Sequence, residues 1–116
     1  MYINLRKFNL AVVVPAYNVA DTIELVLNEL PHYLHHIIVV DDASLDKTTE
    51  LVQAFSKRDK RVVLIRHEHN QGVGGAMRTG FRKALEFGAQ VVVKIDGDHQ
   101  MDPAHIPALV TPLLEG

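Results

Sequence analysis

An acidic stretch of the sequence, residues 96–100, carries two carboxylates two positions apart, Asp96 and Asp98. Carboxylates this close repel each other unless a cation or a hydrogen-bond donor lies between them. Hard cations such as Mg²⁺ take oxygen ligands and bridge substrate phosphates, and Gln100 offers a further carbonyl oxygen. Acidic turns that cap helices show the same pattern, so the pair by itself leaves both interpretations open.

A second acidic pair, Asp41-Asp42, is followed by Ser44, and either Asp42 or Ser44 is suited to cap a following helix. In a nucleotide site a carboxylate would repel the diphosphate. These acids would instead face the neutral parts and accept hydrogen bonds from ribose hydroxyls or a base N–H. Tyr17, in the stretch 15–18, is suited either to pack on a base or to fill a corner between a strand and a helix.

Residues 70–80 form a glycine-rich stretch that includes Gly72-x-Gly74. The dinucleotide fingerprint follows the first strand and ends in a third glycine, whereas this stretch comes later and has Met77. The sequence also lacks the Gly-Lys-Ser/Thr of a phosphate-binding P-loop. We expect a loop whose glycines let the backbone approach a phosphate or a neighbouring strand closely. Arg78 would then either face phosphate or lie exposed on a helix.

Four near-continuous, β-branched apolar runs must position these polar stretches: 10–14, 37–40, 62–65 and 91–95. Such runs are typical of strands buried on both faces. Their starts lie 27, 25 and 29 residues apart. This spacing leaves room for a helix between successive strands and predicts a parallel sheet.

The segments between the runs show helical spacing of apolar residues. We expect a first helix over 23–34, with Asp21 as its N-cap and with Pro31 disturbing its last turn, and a second helix starting near Asp46. A third would contain Met77 and end at Gly88, and a fourth would start after Pro103. Each polar stretch follows one of the strands. All four stretches should therefore lie at the carboxyl edge of the sheet, where open α/β sheets bind ligands.

Composition narrows the function classes. The 116 residues predict one domain, and a net charge of −2 without a basic stripe argues against nucleic-acid binding. The absence of cysteine fits a reducing compartment, so we expect a cytoplasmic protein. No apolar run approaches the ~18 residues of a membrane span. The seven histidines form no metal-ligand pattern, and only His99, inside the acidic stretch, merits attention.

The four polar stretches, in this order and spacing, resemble glycosyltransferase family 2 over residues 10–108. Gln100 and the following Asp102-Pro103 favour the subgroup of dolichol- and polyprenol-phosphate mannosyl- or glucosyltransferases. The resemblance implies a GT-A fold. Its nucleotide-binding half is an α/β, Rossmann-like open sheet, mainly parallel, with helices on both faces.

The resemblance also implies site residues. Asp98 and Gln100 would bind Mg²⁺ or Mn²⁺, which would neutralise the leaving diphosphate. Where the family often has acidic residues after its Tyr-Asn pair, this chain has Val19-Ala20. The expected donor-binding residues are Pro15, Tyr17, Asp42, Arg78, Asp96 and Gly97.

The implied function is inverting, metal-dependent transfer of a sugar from a nucleotide-sugar donor of the GDP-mannose or UDP-glucose type. A polyprenyl phosphate is the candidate acceptor, which would place the full-length protein at the cytoplasmic face of a membrane. No acceptor-side base is present, and we expect residues 1–116 to be a truncated donor-binding portion that does not complete transfer. The alternatives are a non-catalytic nucleotide-binding or scaffold module and, as a weaker one, a receiver-type signalling domain.

Overall fold

The computed structural model describes residues 4–99, which form a layered α/β structure. A short 3-10 turn, Leu5–Lys7, precedes seven regular elements. The strands are β1 (Leu10–Ala16), β2 (His36–Asp41), β3 (Val62–Arg66) and β4 (Val91–Lys94). The helices are α1 (Ile23–Glu29), α2 (Thr48–Arg58) and α3 (Gly72–Glu86).

The four strands form one parallel sheet in the order β3-β2-β1-β4. Val12 of β1 is paired with Ile37 of β2 on one side and with Val93 of β4 on the other. Every pairing is parallel, so the carboxyl ends of all four strands meet at one edge. The predicted parallel sheet is therefore confirmed, with each strand within two residues of its expected bounds.

Helices cover both faces of the sheet, which explains why the strand sequences are apolar at successive positions. Val12 and Val14 belong to the core shared with α1 and α2, whereas Ala11 and Val13 belong to the core beneath α3. Successive residues of a strand point to opposite faces, and both faces are covered by helices, so all four side chains are fully buried.

Two expectations about α1 are wrong. The helix ends at Glu29 rather than near Leu34, because Pro31 disfavours helical backbone at the preceding residue and Leu30 is extended, with ψ 138°. Leu34 is nevertheless buried in the core. The N-cap is Thr22 rather than Asp21, and Thr22 makes no side-chain capping hydrogen bond.

We expected the glycine-rich stretch to form a loop. Instead it forms the start of α3, which begins at Gly72. Gly88 follows the last turn of this helix with φ 72°, as the predicted C-terminal stop requires. α2 begins at Thr48, two residues after Asp46. The helix expected after Pro103 lies outside the described residues. Over residues 4–99, no helix combines the length and apolar character that crossing a bilayer requires.

Candidate functional site

A cavity of about 180 Å³ opens at the carboxyl edge of the sheet. It lies between the strand ends of β1, β2 and β4 and the first turns of α3. Its lining residues are Pro15, Ala16, Tyr17, Val19, Asp42, Val73, Ala76, Asp96, Gly97 and Asp98. The edge predicted from the strand spacing therefore does collect the polar stretches around one cavity.

The loops after β1 and β2 hold each other in place at the cavity. The Asn18 N–H donates to Ser44 Oγ at 3.0 Å, and the Leu45 N–H donates to Asn18 Oδ1 at 2.8 Å. Asn18 and Ala43 have φ values of 52° and 64°, and asparagine tolerates this left-handed region better than most residues. Ser44 therefore braces the β1 loop and does not cap α2.

Asp46 and Thr48 extend this bracing. The Val19 N–H donates to Thr48 Oγ1 at 3.0 Å, and the Ala20 N–H donates to Asp46 Oδ2 at 3.1 Å. Burial acts to raise the pKa of Asp46, but hydrogen bonds from Thr48 and Ala20 lower it overall. The Ala20 N–H is thus satisfied by the carboxylate of Asp46, from the loop after β2, while Asp21 is exposed.

Tyr17 lines the cavity with 47 % of its surface exposed. A ring that filled the strand–helix corner would be buried, so the exposure favours the interpretation in which the ring is available to a ligand. Pro15 lies in β1, and its carbonyl accepts the Gly97 N–H at 3.4 Å. This contact joins the ends of β1 and β4 at the floor of the site.

The carboxylate of Asp42 is buried and receives three hydrogen bonds. Oδ1 accepts from His67 Nδ1 and from the Gln71 N–H, and Oδ2 accepts from the Gly72 N–H, all at 2.8 Å. Burial acts to raise the pKa of Asp42, but these donors hold it below its ordinary value. Asp42 therefore caps α3 rather than α2, and it is ionised at neutral pH.

The adjacent Asp41 has a different role. It is fully buried, and its Oδ1 accepts the Ser44 N–H at 2.9 Å while Oδ2 accepts the Thr49 hydroxyl. Arg66 Nε lies 3.7 Å from Oδ2. Of the two neighbouring acids, only Asp42 lines the cavity, because consecutive side chains at a strand end point to opposite faces.

Residues 95–97 are held tightly against β1. The Ile95 N–H donates to the Val13 carbonyl at 3.0 Å, and Thr22 Oγ1 donates to the Gly97 carbonyl at 2.6 Å. A Cβ on Gly97 would lie 3.1 Å from Val19 Cγ2, so the absence of a side chain lets the backbone approach the cavity closely.

Asp96 and Asp98 carry carboxylate oxygens, the type of ligand that hard divalent cations prefer. Both line the cavity, Asp98 is exposed, and Asp96 Oδ1 lies 3.4 Å from Lys94 Nζ. Among residues 4–99, no group of three or more histidine or acidic side chains is arranged so that it could hold a metal ion by itself. One or two carboxylates together with substrate phosphates are the usual protein site for Mg²⁺. Gln100, the other predicted ligand, lies outside the described residues.

Arg78 and His99 do not line the cavity. Arg78 lies exposed on α3, where a Cβ on Gly74 would be 3.7 Å from its Nη1. Its guanidinium therefore lies back over the first turns of the helix. His99 Nε2 lies 2.6 Å from Glu29 Oε2 at the end of α1. Its side chain thus joins β4's loop to α1.

His67 is a buried residue of the site that our sequence reasoning missed. It is 7 % exposed, and its Nε2 lies 2.7 Å from Thr79 Oγ1, while Nδ1 contacts Asp42. The residue directly follows β3. Its position as the first polar residue after a strand is the signal in the sequence that points to it.

The family model "Glycosyl transferase family 2" matches residues 11–116. The UDP-N-acetylglucosamine–dolichyl-phosphate N-acetylglucosaminyltransferase of Methanococcus voltae is 36% identical over 115 residues, covering 88% of this chain and 46% of that protein. The undecaprenyl-phosphate mannosyltransferase of Micrococcus luteus is 33% identical over 100 residues, covering 84% of this chain and 41% of that protein.

A solved mannosyltransferase from Pyrobaculum calidifontis, in complex with GDP-Man and Mn²⁺, matches with a TM-score of 0.69 and 27% identity. The match covers 80% of this chain and 29% of that one. The expected GT-A fold is thereby confirmed. The chain spans less than half the length of the curated relatives just described.

The resemblance drawn from the polar stretches therefore holds at two levels. The family model covers nearly the whole sequence, and the relatives described above are named as dolichyl- and undecaprenyl-phosphate transferases. This protein belongs to glycosyl transferase family 2, and the names of these relatives support its resemblance to the dolichol- and polyprenol-phosphate subgroup.

Proposed function

We propose that residues 1–116 bind the donor of an inverting, metal-dependent glycosyltransferase that uses a nucleoside-diphosphate sugar. One observation carries the proposal. A single cavity collects an exposed tyrosine ring, a buried ionised carboxylate and a pair of further carboxylates, from Tyr17, Asp42, Asp96 and Asp98. These groups match in kind the base, the neutral ribose and the metal-bound diphosphate of such a donor.

Each side chain has a distinct task in this proposal. Tyr17 offers a ring face on which a base can stack. Asp42 accepts a hydrogen bond from the base or the ribose, because an ionised carboxylate has about four acceptor positions and three are filled. Pro15 and Gly97 hold the backbone close to the donor, and Arg78 would have to leave its position over α3 to reach a phosphate.

Asp98 and Gln100 are the metal ligands that the resemblance implies, and we add Asp96 to them because it lines the same cavity two residues from Asp98. Together they would hold Mg²⁺ or Mn²⁺. Bound there, the cation supplies charge neutralisation of the diphosphate leaving group. Without a cation, the two carboxylates would repel the diphosphate. The solved relative with GDP-Man and Mn²⁺ supports divalent-metal use in this fold.

Transfer would form a bond between an acceptor oxygen and the anomeric carbon as the bond to the diphosphate breaks. Attack from the face opposite the leaving group inverts that carbon. The names of the relatives favour a polyprenyl phosphate acceptor, and hence a place at the cytoplasmic face of a membrane. A phosphate acceptor is already ionised, so this transfer needs no general base.

Calorimetric titration of the purified protein with GDP-mannose, UDP-glucose and UDP-N-acetylglucosamine tests the proposal. We expect the sugars of one nucleotide to bind in the presence of Mn²⁺. Their affinity should fall by about tenfold or more when EDTA removes the metal. Failure of every nucleotide sugar to bind in Mn²⁺ would overturn it. Binding by the full-length protein without transfer to a polyprenyl phosphate would favour the non-catalytic alternative.

A further inference from the structure

Asp42, His67 and Thr79 form a buried polar chain from the cavity wall to α3. His67 Nδ1 lies 2.8 Å from Asp42 Oδ1, and His67 Nε2 lies 2.7 Å from Thr79 Oγ1. The three residues come from β2's end, β3's end and the middle of α3. The imidazole is 7 % exposed and does not line the cavity, so it contacts no ligand there.

The direction of this chain follows from the donors and acceptors available. An ionised carboxylate only accepts hydrogen bonds, so His67 Nδ1 must carry the proton that faces Asp42. In the neutral imidazole Nε2 then accepts, and the Thr79 hydroxyl donates to it. The chain therefore runs from the Thr79 O–H through the imidazole to Asp42, and it fixes one tautomer of His67.

Counting acceptor positions shows what this contact does to Asp42. Oδ1 is saturated by His67 and Gln71, whereas Oδ2 has Gly72 as its one donor among the described residues. The remaining acceptor position therefore lies on the oxygen that Gly72 holds. Without the imidazole, only the two backbone N–H groups would fix the plane of the carboxylate about its Cβ–Cγ bond, and a further acceptor position would open on Oδ1.

We propose that His67 is a positioning residue for donor recognition: it fixes the plane of the Asp42 carboxylate and so orients the remaining acceptor position, on Oδ2, towards the base or ribose of the nucleotide. This rests on the proposed function. The inference adds the residue that orients the carboxylate and predicts that its effect is confined to the nucleoside part of the ligand. The diphosphate, which would lie at Asp96 and Asp98, should not be affected.

Two matched substitutions separate the two arms of the imidazole. The amide nitrogen of His67→Asn occupies the place of Nδ1 and keeps the bond to Asp42, and that of His67→Gln occupies the place of Nε2 and keeps only the bond to Thr79. Binding of UDP and of GDP, each with Mn²⁺, is measured by calorimetry, and inorganic pyrophosphate with Mn²⁺ is the probe that lacks a nucleoside.

For the nucleotide that the wild type binds, His67→Asn should remain within about threefold, and His67→Gln should weaken binding by about tenfold or more. Both variants should bind pyrophosphate within about twofold of the wild type, because the diphosphate would lie at Asp96 and Asp98, which neither substitution changes. His36→Asn, at the opposite edge of the sheet, is the control and should leave the affinity for both ligands unchanged.

Three results would overturn the inference: equal nucleotide affinity of the two His67 variants, wild-type affinity of His67→Gln, or a parallel loss of nucleotide and pyrophosphate with falling Tm. The last result would show a purely structural role. If neither His67 variant folds, Thr79→Val, of similar volume, decides. It should weaken nucleotide binding by about threefold and leave pyrophosphate binding unchanged. A wild type that binds pyrophosphate but no nucleotide would instead refute the proposed function itself.

Discussion

Gly80 of α3 lies against Val13 of β1 so closely that a Cβ on Gly80 would come within 2.3 Å of Val13 Cγ1. Ala76 and Ala84, one turn to either side, are also buried. Small residues four positions apart thus give α3 a flat face that packs directly on β1 and β2. Because α3 also supplies part of the cavity wall, this close approach helps to set the position of that wall.

Substitution of alanine at two glycines of α3 should have opposite effects. Gly80→Ala should lower the free energy of unfolding by about 1–3 kcal/mol, because its methyl group overpacks against Val13. Gly74→Ala should raise it by up to about 1 kcal/mol. Among the described residues, and apart from the backbone of α3 itself, a Cβ there would meet only the flexible Arg78 side chain within 4 Å. Urea unfolding of both variants measures the difference. Equal effects would contradict the close packing.

The stabilising role of Asp42 should depend on pH. At neutral pH, Asp42→Asn should lower the free energy of unfolding by about 1–3 kcal/mol, because the amide turns a donor towards backbone N–H groups. The folded pKa of Asp42 lies below its ordinary 3.8. The carboxylate's contribution is therefore fully present above pH 3.8 and is lost as the pH falls through the lower, folded pKa.

The difference between the wild type and Asp42→Asn should accordingly narrow in urea unfolding series taken from about pH 7 to about pH 3. Asp21→Asn, at an exposed position, is the control and should stay within about 0.5 kcal/mol of the wild type throughout. A difference that stays constant down to the lowest pH would show that the charge of Asp42 contributes nothing.

Asp98 and Lys94 should affect metal affinity in opposite directions. Asp98→Asn should weaken Mn²⁺-dependent nucleotide binding by about tenfold, because one anionic ligand is lost. Lys94→Met should tighten Mn²⁺ binding in the absence of nucleotide by about twofold to fivefold, because Asp96 loses a cation 3.4 Å away at a half-exposed position. Titration of Mn²⁺ followed by electron paramagnetic resonance measures both. Weaker metal binding by Lys94→Met would argue against Asp96 as a ligand.

A side chain at position 97 should interfere with the donor through Val19. A Cβ there would be 3.1 Å from Val19 Cγ2 and 3.4 Å from the Pro15 carbonyl, so the 96–98 turn must shift slightly. Gly97→Ala should therefore weaken nucleotide-sugar binding about tenfold, and adding Val19→Ala should restore part of the loss. A double-mutant cycle by calorimetry measures this coupling. Strict additivity of the two changes would rule out the contact as the cause.

The ring of Tyr17, and not its hydroxyl, should support donor binding. Tyr17→Ala should weaken nucleotide binding by about tenfold, the usual effect of losing a stacked base, whereas Tyr17→Phe should bind like the wild type. Thermal unfolding should change little in either variant because the ring is 47 % exposed. A loss of affinity in Tyr17→Phe would assign the contact to the hydroxyl group instead.

The sheet and its functional edge were predictable from the sequence. A strand covered on both faces needs apolar side chains at successive positions, and residues 10–14 and 37–40 show that pattern. Parallel pairing then places every strand's carboxyl end at one edge. One cavity consequently collects Pro15, Tyr17, Asp42, Asp96 and Asp98.

The tertiary structure alone decided which neighbouring residue does what. Residue type and spacing do not distinguish Asp41 from Asp42, and only the family resemblance singled out Asp42. In the structure, Asp41 braces a loop and Asp42 lines the cavity. α3 begins at Gly72 because a carboxylate 30 positions earlier accepts its N–H, and His67 matters because it lies between Asp42 and Thr79. Local spacing predicts elements, but these hydrogen bonds join different elements, so they exist only once the sheet and helices have packed.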